Sequence, residues 1–176
     1  MDLKNILTCQ SYNIKTKHMP TQVNQMMNRP VSEIMTKKLI TVLPTDPLQM
    51  VADIFENHNI HHIPVVRHLD LIGIISKTDF LKAIHGAKLE KEENVVAYNK
   101  TLFSKYKAED IMTRHVVIIS PEDKIGVAAE IFLENYFHAI PIVNDDRELV
   151  GIVSSYDIVK LFFGEAYPSQ ELEKIV

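Results

Sequence analysis

The stretch "NIHHIPVVRHLDLIGIISKTD", residues 59–79, and the stretch "YFHAIPIVNDDRELVGIVSSYD", residues 136–157, share one design. In each, a β-branched run around a proline is followed by polar residues, a second β-branched run with one glycine, and the pattern Ser-x-x-Asp. Polar residues between two β-branched runs predict a β-hairpin. Ser-x-x-Asp before apolar residues predicts the start of a helix. The chain therefore contains two copies of a hairpin followed by a helix.

The similarity extends beyond these two stretches. Up to the hairpin loop, each residue of the first copy matches the residue 77 positions later in the chain. The second copy has one extra residue in that loop, so after it the spacing is 78 residues. Loops are where an insertion costs least. The matched pairs are Met35 with Met112, Pro44 with Pro121, Pro64 with Pro141, Gly73 with Gly151 and Asp79 with Asp157.

Each copy predicts the element order β-α-β-β-α, a mixed α/β (α+β) fold. The first strands are "LITVL" (39–43) and "VVIIS" (116–120), and Asp46 or Ser120 is expected to open the helix that follows. Because a copy of about 55 residues buries too little surface alone, we expect the two to pack sheet to sheet as one body. Apolar residues at helical spacing predict buried helix faces: Leu48, Val51, Ala52 and Phe55, then Phe80, Leu81 and Ile84 in the first copy, and Ile125, Ala128, Ala129 and Phe132, then Ile158, Val159 and Phe162 in the second.

Composition narrows the class of protein. The 176 residues are 46% hydrophobic, as in globular chains, and the net charge of -4 with a pI near 6.0 argues against nucleic-acid binding. Cys9 is the single cysteine, so neither an intramolecular disulfide nor a multi-cysteine metal site can form. We expect a cytoplasmic protein, because the sequence has neither the apolar core of a secretion signal nor a run long enough for a membrane span.

The paired motifs resemble those of the CBS domain pair, also called a Bateman module. The motifs are "VSEIMTKKLITVLPTDPL" and "AEDIMTRHVVIISPEDKI", "HHIPVV" and "HAIPIV", and "GIISKTD" and "GIVSSYD". The resemblance covers residues 31–84 and 108–163. Residues 1–30 are then an unassigned arm, 85–107 a connector and 164–176 a tail.

The resemblance implies a pseudo-twofold regulatory module whose clefts bind AMP, ADP, ATP or S-adenosylmethionine. It also implies a homodimer, and an effector protein whose identity the sequence does not give. Since few residues lie outside the repeats, a stand-alone regulator is expected.

The candidate ligand-binding residues combine a chemical argument with this resemblance. A carboxylate can accept hydrogen bonds from both hydroxyls of a ribose, and Asp79 and Asp157 are placed to do so. Ser76 and Ser154 can hold a ligand oxygen or cap the helix, and spacing alone favours the cap, although one residue can do both. The full set is Thr41, Val42, His61, His62, Ile63, Pro64, Ser76, Lys77 and Asp79 in the first repeat, and Ile119, His138, Ile140, Pro141, Ser154 and Asp157 in the second.

The two clefts are predicted to be unequal. Thr41, His62 and Lys77 of the first repeat align with Ile118, Ala139 and Ser155 of the second. The first repeat therefore offers more positive charge to a phosphate.

Two other functions stay open, and catalysis finds no support. One is an interaction module with degenerate clefts. The other is a zinc site built from His58, His61, His62 and His68, although strand alternation sends His61 and His62 to opposite faces. Because the sequence has no phosphate loop, H-E-x-x-H or nucleophile elbow, we predict a binding protein without catalytic residues.

Overall fold

A computed structural model describes residues 20–87, 103, 105–134 and 136–163. Cys9, most of the arm, most of the connector and the tail lie outside the described residues. The elements in chain order are α1 (Thr21–Met27), a 3-10 turn (Val31–Glu33), α2 (Leu48–Asn57), β1 (His62–Arg67), β2 (Asp70–Ser76), α3 (Lys77–Ala87), α4 (Ala108–Ile111), α5 (Ile125–Leu133), β3 (Ala139–Val143), β4 (Leu149–Ser154) and α6 (Ser155–Phe163).

Both predicted hairpins are confirmed. Strands β1 and β2 form one two-stranded antiparallel sheet, and β3 and β4 form another. His68 and Arg147 have φ values of 59° and 69° in the two connecting loops. This left-handed backbone is uncommon outside glycine but occurs in tight turns.

The predicted first strand of each repeat is much shorter than expected. Val42 makes a single parallel bridge to Val65, and Ile119 makes the same bridge to Ile142. In the first repeat, strand pairing ends at Val42 because the N–H group of the next residue bonds to a side chain instead of a neighbouring strand. Leu43 N–H donates to Asp46 Oδ2 at 2.7 Å, and the proline that follows has no N–H to offer a neighbouring strand.

The predicted helix openers are therefore wrong. The Asp46 side chain accepts a hydrogen bond from Leu43 N–H in the turn before the helix. Helix α2 begins two residues after Asp46 and has no side-chain cap. In the second repeat, Ser120 N–H donates to Asp123 Oδ2 at 2.7 Å, and α5 also begins without a side-chain cap. In both repeats the polar residue stabilises the turn before the helix instead of the helix end.

The predicted helix faces are confirmed only in part. No residue of α6 is buried, and Ile158 and Phe162 are only partly buried. Leu81 and Val159 are 43% and 52% exposed, because each lies about 100° around the helix from the neighbour that packs inward. In α5, Ile131 is fully in the core while Ala129 is only partly buried. The buried stripe of that helix is thus rotated from the predicted one.

The described residues form two compact units that differ from the two sequence repeats. The first-hairpin unit contains residues 40–87, 103, 105–116 and 147–149, and the second-hairpin unit contains residues 20–39, 117–134, 136–146 and 150–163. The opening motif of each repeat, "IMT" at 34–36 and 111–113, belongs to the unit that holds the hairpin of the other repeat. The packing of one sheet on the other stays a prediction.

Backbone hydrogen bonds hold each opening motif against the hairpin of the other repeat. Thr36 and Ile152 exchange two N–H···O bonds of 2.8 and 3.0 Å in the second-hairpin unit. Thr113 and Ile74 exchange two bonds of 2.9 and 3.0 Å in the first-hairpin unit. Each hairpin is therefore extended at one edge by a single residue that comes from the other repeat.

The methionine of each "IMT" motif packs against a glycine in the hairpin of the other repeat. A Cβ placed on Gly151 would lie 2.5 Å from Met35 Sδ, and a Cβ on Gly73 would lie 2.8 Å from Met112 Sδ and 2.9 Å from the carbonyl oxygen of Thr113. Neither glycine has a positive φ. Both positions need glycine for space, not for backbone conformation.

Each unit has its own apolar core. The buried members in the first-hairpin unit are Val42, Leu48, Val51, Phe55, Ile63, Val65, Ile75, Phe80, Ala108 and Met112. Those in the second-hairpin unit are Val31, Ile119, Ala128, Ile131, Ile140, Ile142 and Val153. Both lists draw residues from both repeats, so neither repeat builds its core alone.

We predict that Gly73→Ala destabilises the protein more than Gly151→Ala. The new methyl group at 73 meets a backbone carbonyl that cannot move cheaply, at a cost of roughly 1–3 kcal/mol for overpacking. At 151 the three nearest atoms all belong to the flexible side chain of Met35, and none is a backbone atom. Urea unfolding of the two variants measures the difference.

A double-mutant cycle provides the control. Met35→Ala should relieve part of the Gly151→Ala loss, whereas Met112→Ala should leave most of the Gly73→Ala loss in place. Equal, additive losses at both glycines would show that the carbonyl contact has no effect.

Candidate ligand-binding sites

In the first-hairpin unit the predicted site residues gather at one end of the hairpin. His62 on β1 lies opposite Ser76 on β2. The N–H of Lys77, the first residue of α3, donates to the carbonyl oxygen of His61 at 2.8 Å. The sequence turns from strand into helix at this point, so the start of α3 lies beside the start of β1.

The bridge from Val42 completes this cluster. Val42 N–H donates to the Pro64 carbonyl at 3.1 Å, and Val66 N–H donates to the Val42 carbonyl at 2.9 Å. This places the segment with Thr41 along β1. Three separate stretches of the first repeat thus meet in one unit.

The second-hairpin unit repeats this arrangement with the residues of the second repeat. Ser155 N–H donates to the His138 carbonyl at 3.3 Å, and Ile119 N–H donates to the Pro141 carbonyl at 3.3 Å. The same backbone framework therefore surrounds both candidate sites, and the sites differ only in their side chains.

The Ser-x-x-Asp pairs form the helix caps that their spacing favours. Ser76 Oγ–H donates to Asp79 Oδ2 at 2.6 Å, and Asp79 N–H donates to Ser76 Oγ at 3.0 Å. In the second repeat, Ser154 Oγ–H donates to Asp157 Oδ2 at 2.7 Å and the returning N–H bond is 3.4 Å. The serine N–H also donates to Oδ2 in both repeats, at 3.2 and 2.7 Å.

The caps use only one oxygen of each carboxylate. All these bonds go to Oδ2, and within the described part of the chain Oδ1 of Asp79 and of Asp157 accepts no hydrogen bond. Both aspartates are half-buried. Each cap therefore fixes a carboxylate at a helix start with one acceptor oxygen unused, and capping does not exclude a ligand.

The apolar candidates are core residues. Val42 and Ile63 are 2% and 0% exposed, and Ile119 and Ile140 are 3% and 0% exposed. Pro64 and Pro141 are buried as well. These side chains face the protein interior, so a ligand could reach mainly their backbone groups, and an adenine contact there stays a prediction.

The polar candidates are more accessible and differ between the repeats. Thr41, His61, Lys77 and His138 are exposed, and His62 is half-buried. Ser155, which aligns with Lys77, is half-buried and uncharged. The positive charge at a helix start is therefore present in the first repeat and absent from the equivalent position in the second.

Two of the histidines suggested for a metal site, His62 and His68, lie far apart. His62 opens β1 and His68 lies in the turn after it, and a strand of that length spans roughly 20 Å at about 3.3 Å per residue. Among the described residues no three His, Cys, Asp or Glu side chains gather as metal ligands. The structure gives the zinc hypothesis no support.

The chain belongs to the CBS domain family. The family model for the CBS domain matches residues 31–86 and 108–164, more than half of the chain. The predicted resemblance and the mixed helix and strand fold with two small antiparallel sheets are thereby confirmed.

Solved structures of CBS domains resemble the protein. The CBS domain pair of protein MJ0100, in complex with 5′-methylthioadenosine and S-adenosyl-L-methionine, is 33% identical, with a TM-score of 0.60 over 76% of this chain and 98% of that chain. The CBS domain of a CBS domain containing membrane protein from Sphaerobacter thermophilus is 32% identical, with a TM-score of 0.65 over 78% of this chain and 90% of that one.

The curated relatives are longer proteins. L-aspartate semialdehyde sulfurtransferase of Methanocaldococcus jannaschii is 32% identical over 146 residues, which are 81% of this chain and 25% of that protein. Inosine-5′-monophosphate dehydrogenase of the same organism is also 32% identical, over 79% of this chain and 25% of the enzyme. The chain spans between about a quarter and a half of the curated relatives it matches.

Within the residues that the structure describes, no helix has both the length and the apolar character needed to cross a membrane.

We predict that Ser76→Ala and Ser154→Ala each lower the free energy of unfolding by about 0.5–2 kcal/mol, the usual loss for an N-cap. Ser→Asn at the same positions should recover most of the loss, because asparagine also caps helices. Urea unfolding without ligand measures these changes. If both alanine variants keep the stability of the parent protein, the caps contribute nothing to folding.

Proposed function

We propose that the chain is a regulatory module that binds an adenosine-containing ligand, either a nucleotide (AMP, ADP or ATP) or S-adenosylmethionine. The observation that carries the proposal is the pair of capped aspartates, each held half-buried at a helix start with Oδ1 unused. Thr41, His61, His62, Ser76, Lys77 and Asp79 form the proposed site of the first repeat, and His138, Ser154 and Asp157 that of the second.

The chemistry of ribose suits this arrangement. Its two adjacent hydroxyls can donate to one carboxylate, and hydrogen bonds to a charged acceptor are about twice as strong as neutral ones. The cap removes the entropy cost of orienting the aspartate, because the side chain is already fixed before a ligand arrives. The MJ0100 domain pair supports adenosine as the shared part of the ligand, since both of its ligands contain it.

A ligand-binding role explains better than a catalytic role why this region occurs in relatives with different activities. The same region matches proteins named as a sulfurtransferase, a dehydrogenase and a homoserine O-acetyltransferase. Three such different reactions cannot reside in one shared stretch of about a quarter of each enzyme. We infer that this stretch senses a ligand and passes the signal to an effector, which here is an unidentified protein or a further part of the same protein.

We also propose a cytoplasmic homodimer. The single cysteine fits a reducing compartment. Helix α6 exposes Tyr156, Val159 and Phe163 by 67%, 52% and 56%. These residues repeat at helical spacing on one face, as they would in a helix that pairs with another copy.

We predict that Asp79→Ala and Asp157→Ala each weaken binding of an adenosine ligand. The loss of a charged acceptor should cost roughly 1.5–3 kcal/mol, at two different sites with different affinities. Isothermal calorimetry with AMP, ATP, S-adenosylmethionine and 5′-methylthioadenosine measures the effect. Asp79→Asn and Asp157→Asn are the controls for the cap, because asparagine keeps an oxygen for the helix start but removes the charge that the ribose hydroxyls would meet, so they should weaken binding as well.

A further arm of this experiment tests the inequality of the two sites. Lys77→Ser gives the first repeat the residue of the second, and it should weaken ATP more than 5′-methylthioadenosine, most strongly at low salt. If folded Asp79→Ala and Asp157→Ala variants bind every adenosine ligand like the parent, the aspartates serve only as caps. The sites would then be degenerate and the protein an interaction module.

We predict that light scattering at micromolar concentration gives a mass of two chains, about twice 20.2 kDa. Tyr156→Lys with Val159→Lys should return the mass to one chain, because buried lysines would oppose an apolar contact. Lys38→Ala, at an exposed lysine outside α6, is the control and should leave the mass unchanged. A single-chain mass for the parent protein would exclude the homodimer.

A further inference from the structure

Three phenylalanine rings contact one another in the first-hairpin unit, and one of them belongs to the residue directly after Asp79. The centroid of the Phe80 ring lies 5.6 Å from that of Phe55 on α2 and 6.2 Å from that of Phe103, a residue of the connector. The planes of Phe80 and Phe103 are only 6° apart, so these two rings are stacked. Both distances fall in the range of favourable aromatic pairs, about 4.5–7 Å.

The three rings are part of the apolar core. Phe55 and Phe80 are 5% and 7% exposed, and Phe103 is partly buried and packs against the same core cluster. Protein interiors are close-packed, so a buried ring moves little unless its neighbours move with it. The position of the Phe80 ring therefore depends on Phe103.

The chain that follows Phe103 is bonded to the start of α2. Leu48 N–H donates to the Tyr106 carbonyl and Ala108 N–H donates to the Asp46 carbonyl, both at 2.9 Å. Tyr106 is only three positions after Phe103. These backbone bonds keep the end of the connector at α2, so the ring of Phe103 meets the core from a segment whose backbone is already fixed.

The start of α3 carries the candidate ribose acceptor and the stacked ring on consecutive residues. Asp79 N–H donates to Ser76 Oγ at 3.0 Å, which holds the first turn by its cap. Phe80 holds the same turn by its ring, because consecutive residues of a helix are only about 1.5 Å apart along the axis. The position of the Asp79 carboxylate therefore depends both on the cap and on the packing of Phe80.

The second-hairpin unit supports its helix start with a different side chain. Asp157 aligns with Asp79, so Ile158 takes the place of Phe80. Ile158 is half-buried, whereas Phe80 is buried. Isoleucine has no ring that can stack on another ring. Support of the aspartate by a ring stack at this position is thus particular to the first repeat.

We propose that Phe103 is a positioning residue for the ligand site of the first repeat. It holds the ring of Phe80, Phe80 holds the first turn of α3, and this turn places the Asp79 carboxylate for the ribose hydroxyls. The inference rests on the proposed function, because it requires a ligand at Asp79. It adds a residue of the connector to the side chains that set the affinity of this site.

The ring stack has a regulatory consequence through thermodynamic linkage. If the stack strengthens ligand binding by some factor, ligand binding strengthens the stack by the same factor. The connector joins the two repeats in the chain. A ligand at Asp79 therefore acts on the segment between the repeats through Phe103, and the second repeat has isoleucine at the position of Phe80.

Calorimetry of the full chain with AMP and with 5′-methylthioadenosine tests the positioning role. The titrations are made in Asp157→Ala, which keeps only the proposed site of the first repeat. Phe103→Ala should weaken both ligands roughly 2- to 30-fold, the range for residues that act on a site through other residues. Phe103→Leu, which preserves most of the volume, should weaken them less, and Phe103→Tyr, which keeps the ring, should bind like the parent.

A double-mutant cycle separates positioning from a general loss of stability. Phe103→Ala should weaken binding less when combined with Asp79→Asn, because the group that it positions has already lost its charge. Met112→Ala is the matched control, since it removes a buried side chain of the same core at Gly73 and should leave the affinity unchanged. Circular dichroism melts check that each variant is folded.

A tryptophan probe tests the reciprocal effect. The chain has no tryptophan, so Phe103→Trp places a single indole in the ring stack. Saturating AMP should reduce the quenching of this indole by acrylamide, because the ligand favours the stacked position. Tyr106→Trp, at a residue that is 39% exposed, is the control and should be quenched equally with and without AMP.

Two results would overturn the positioning role and leave the proposed function intact. One is parent-like affinity in folded Phe103→Ala while Asp79→Ala weakens binding. The other is an equal loss from Phe103→Ala with and without Asp79→Asn, since the ring would then not act through the aspartate. If Asp79→Ala itself binds both ligands like the parent, the proposed function fails at this site, and the positioning role fails with it.

Discussion

The fold depends on a contact between a methionine and a glycine that are distant in sequence. Met112 lies where a side chain at Gly73 would be, and Met35 lies where one at Gly151 would be. Each methionine comes from the opening motif of one repeat and each glycine from the hairpin of the other. Because the Thr36 and Thr113 bridges hold these motifs in place, each compact unit needs both repeats. A repeat alone would lack an edge bridge and part of its core.

In the two Ser-Asp pairs, the helix cap is compatible with the proposed recognition of a ligand. A carboxylate has two oxygens, and the helix start uses one of them in each repeat. The cap holds the aspartate in one position, so its second oxygen also has a defined position at the helix start. The choice between a cap and a binding residue, which the spacing leaves open, is therefore not exclusive. The bridges from Val42 and Ile119 bring the remaining candidate segments to the same end of each hairpin.

The two repeats share a backbone but not their chemistry. The first repeat places Lys77 at its helix start, whereas the second places Ser155 there, and Ser155 lines an apolar groove beside Glu130. A lysine in place of Ser155 would therefore lie beside this acidic, apolar groove. The two units thus differ in charge at the helix start while keeping one hairpin framework.

Much of the fold follows from local patterns in the sequence. Alternating β-branched runs with polar breaks predict both hairpins, and Ser-x-x-Asp predicts both caps, because these elements form between residues close in the chain. The face of α2 is likewise set by residues one turn apart.

Other features were decided only by tertiary structure. Since both repeats carry the same "IMT" and glycine motifs, the sequence cannot tell whether Met35 covers Gly73 or Gly151. Asp46 looks like a helix opener until the position of Leu43 N–H is known. Leu81 and Val159 fit an apolar helix pattern, but each helix packs on one side only. The burial of one Glu130 oxygen arises only where α5 packs near α1 and α6. Local periodicity in the sequence specifies the helices and strands. The surface against which each helix or strand packs depends on contacts between residues that are far apart in the chain.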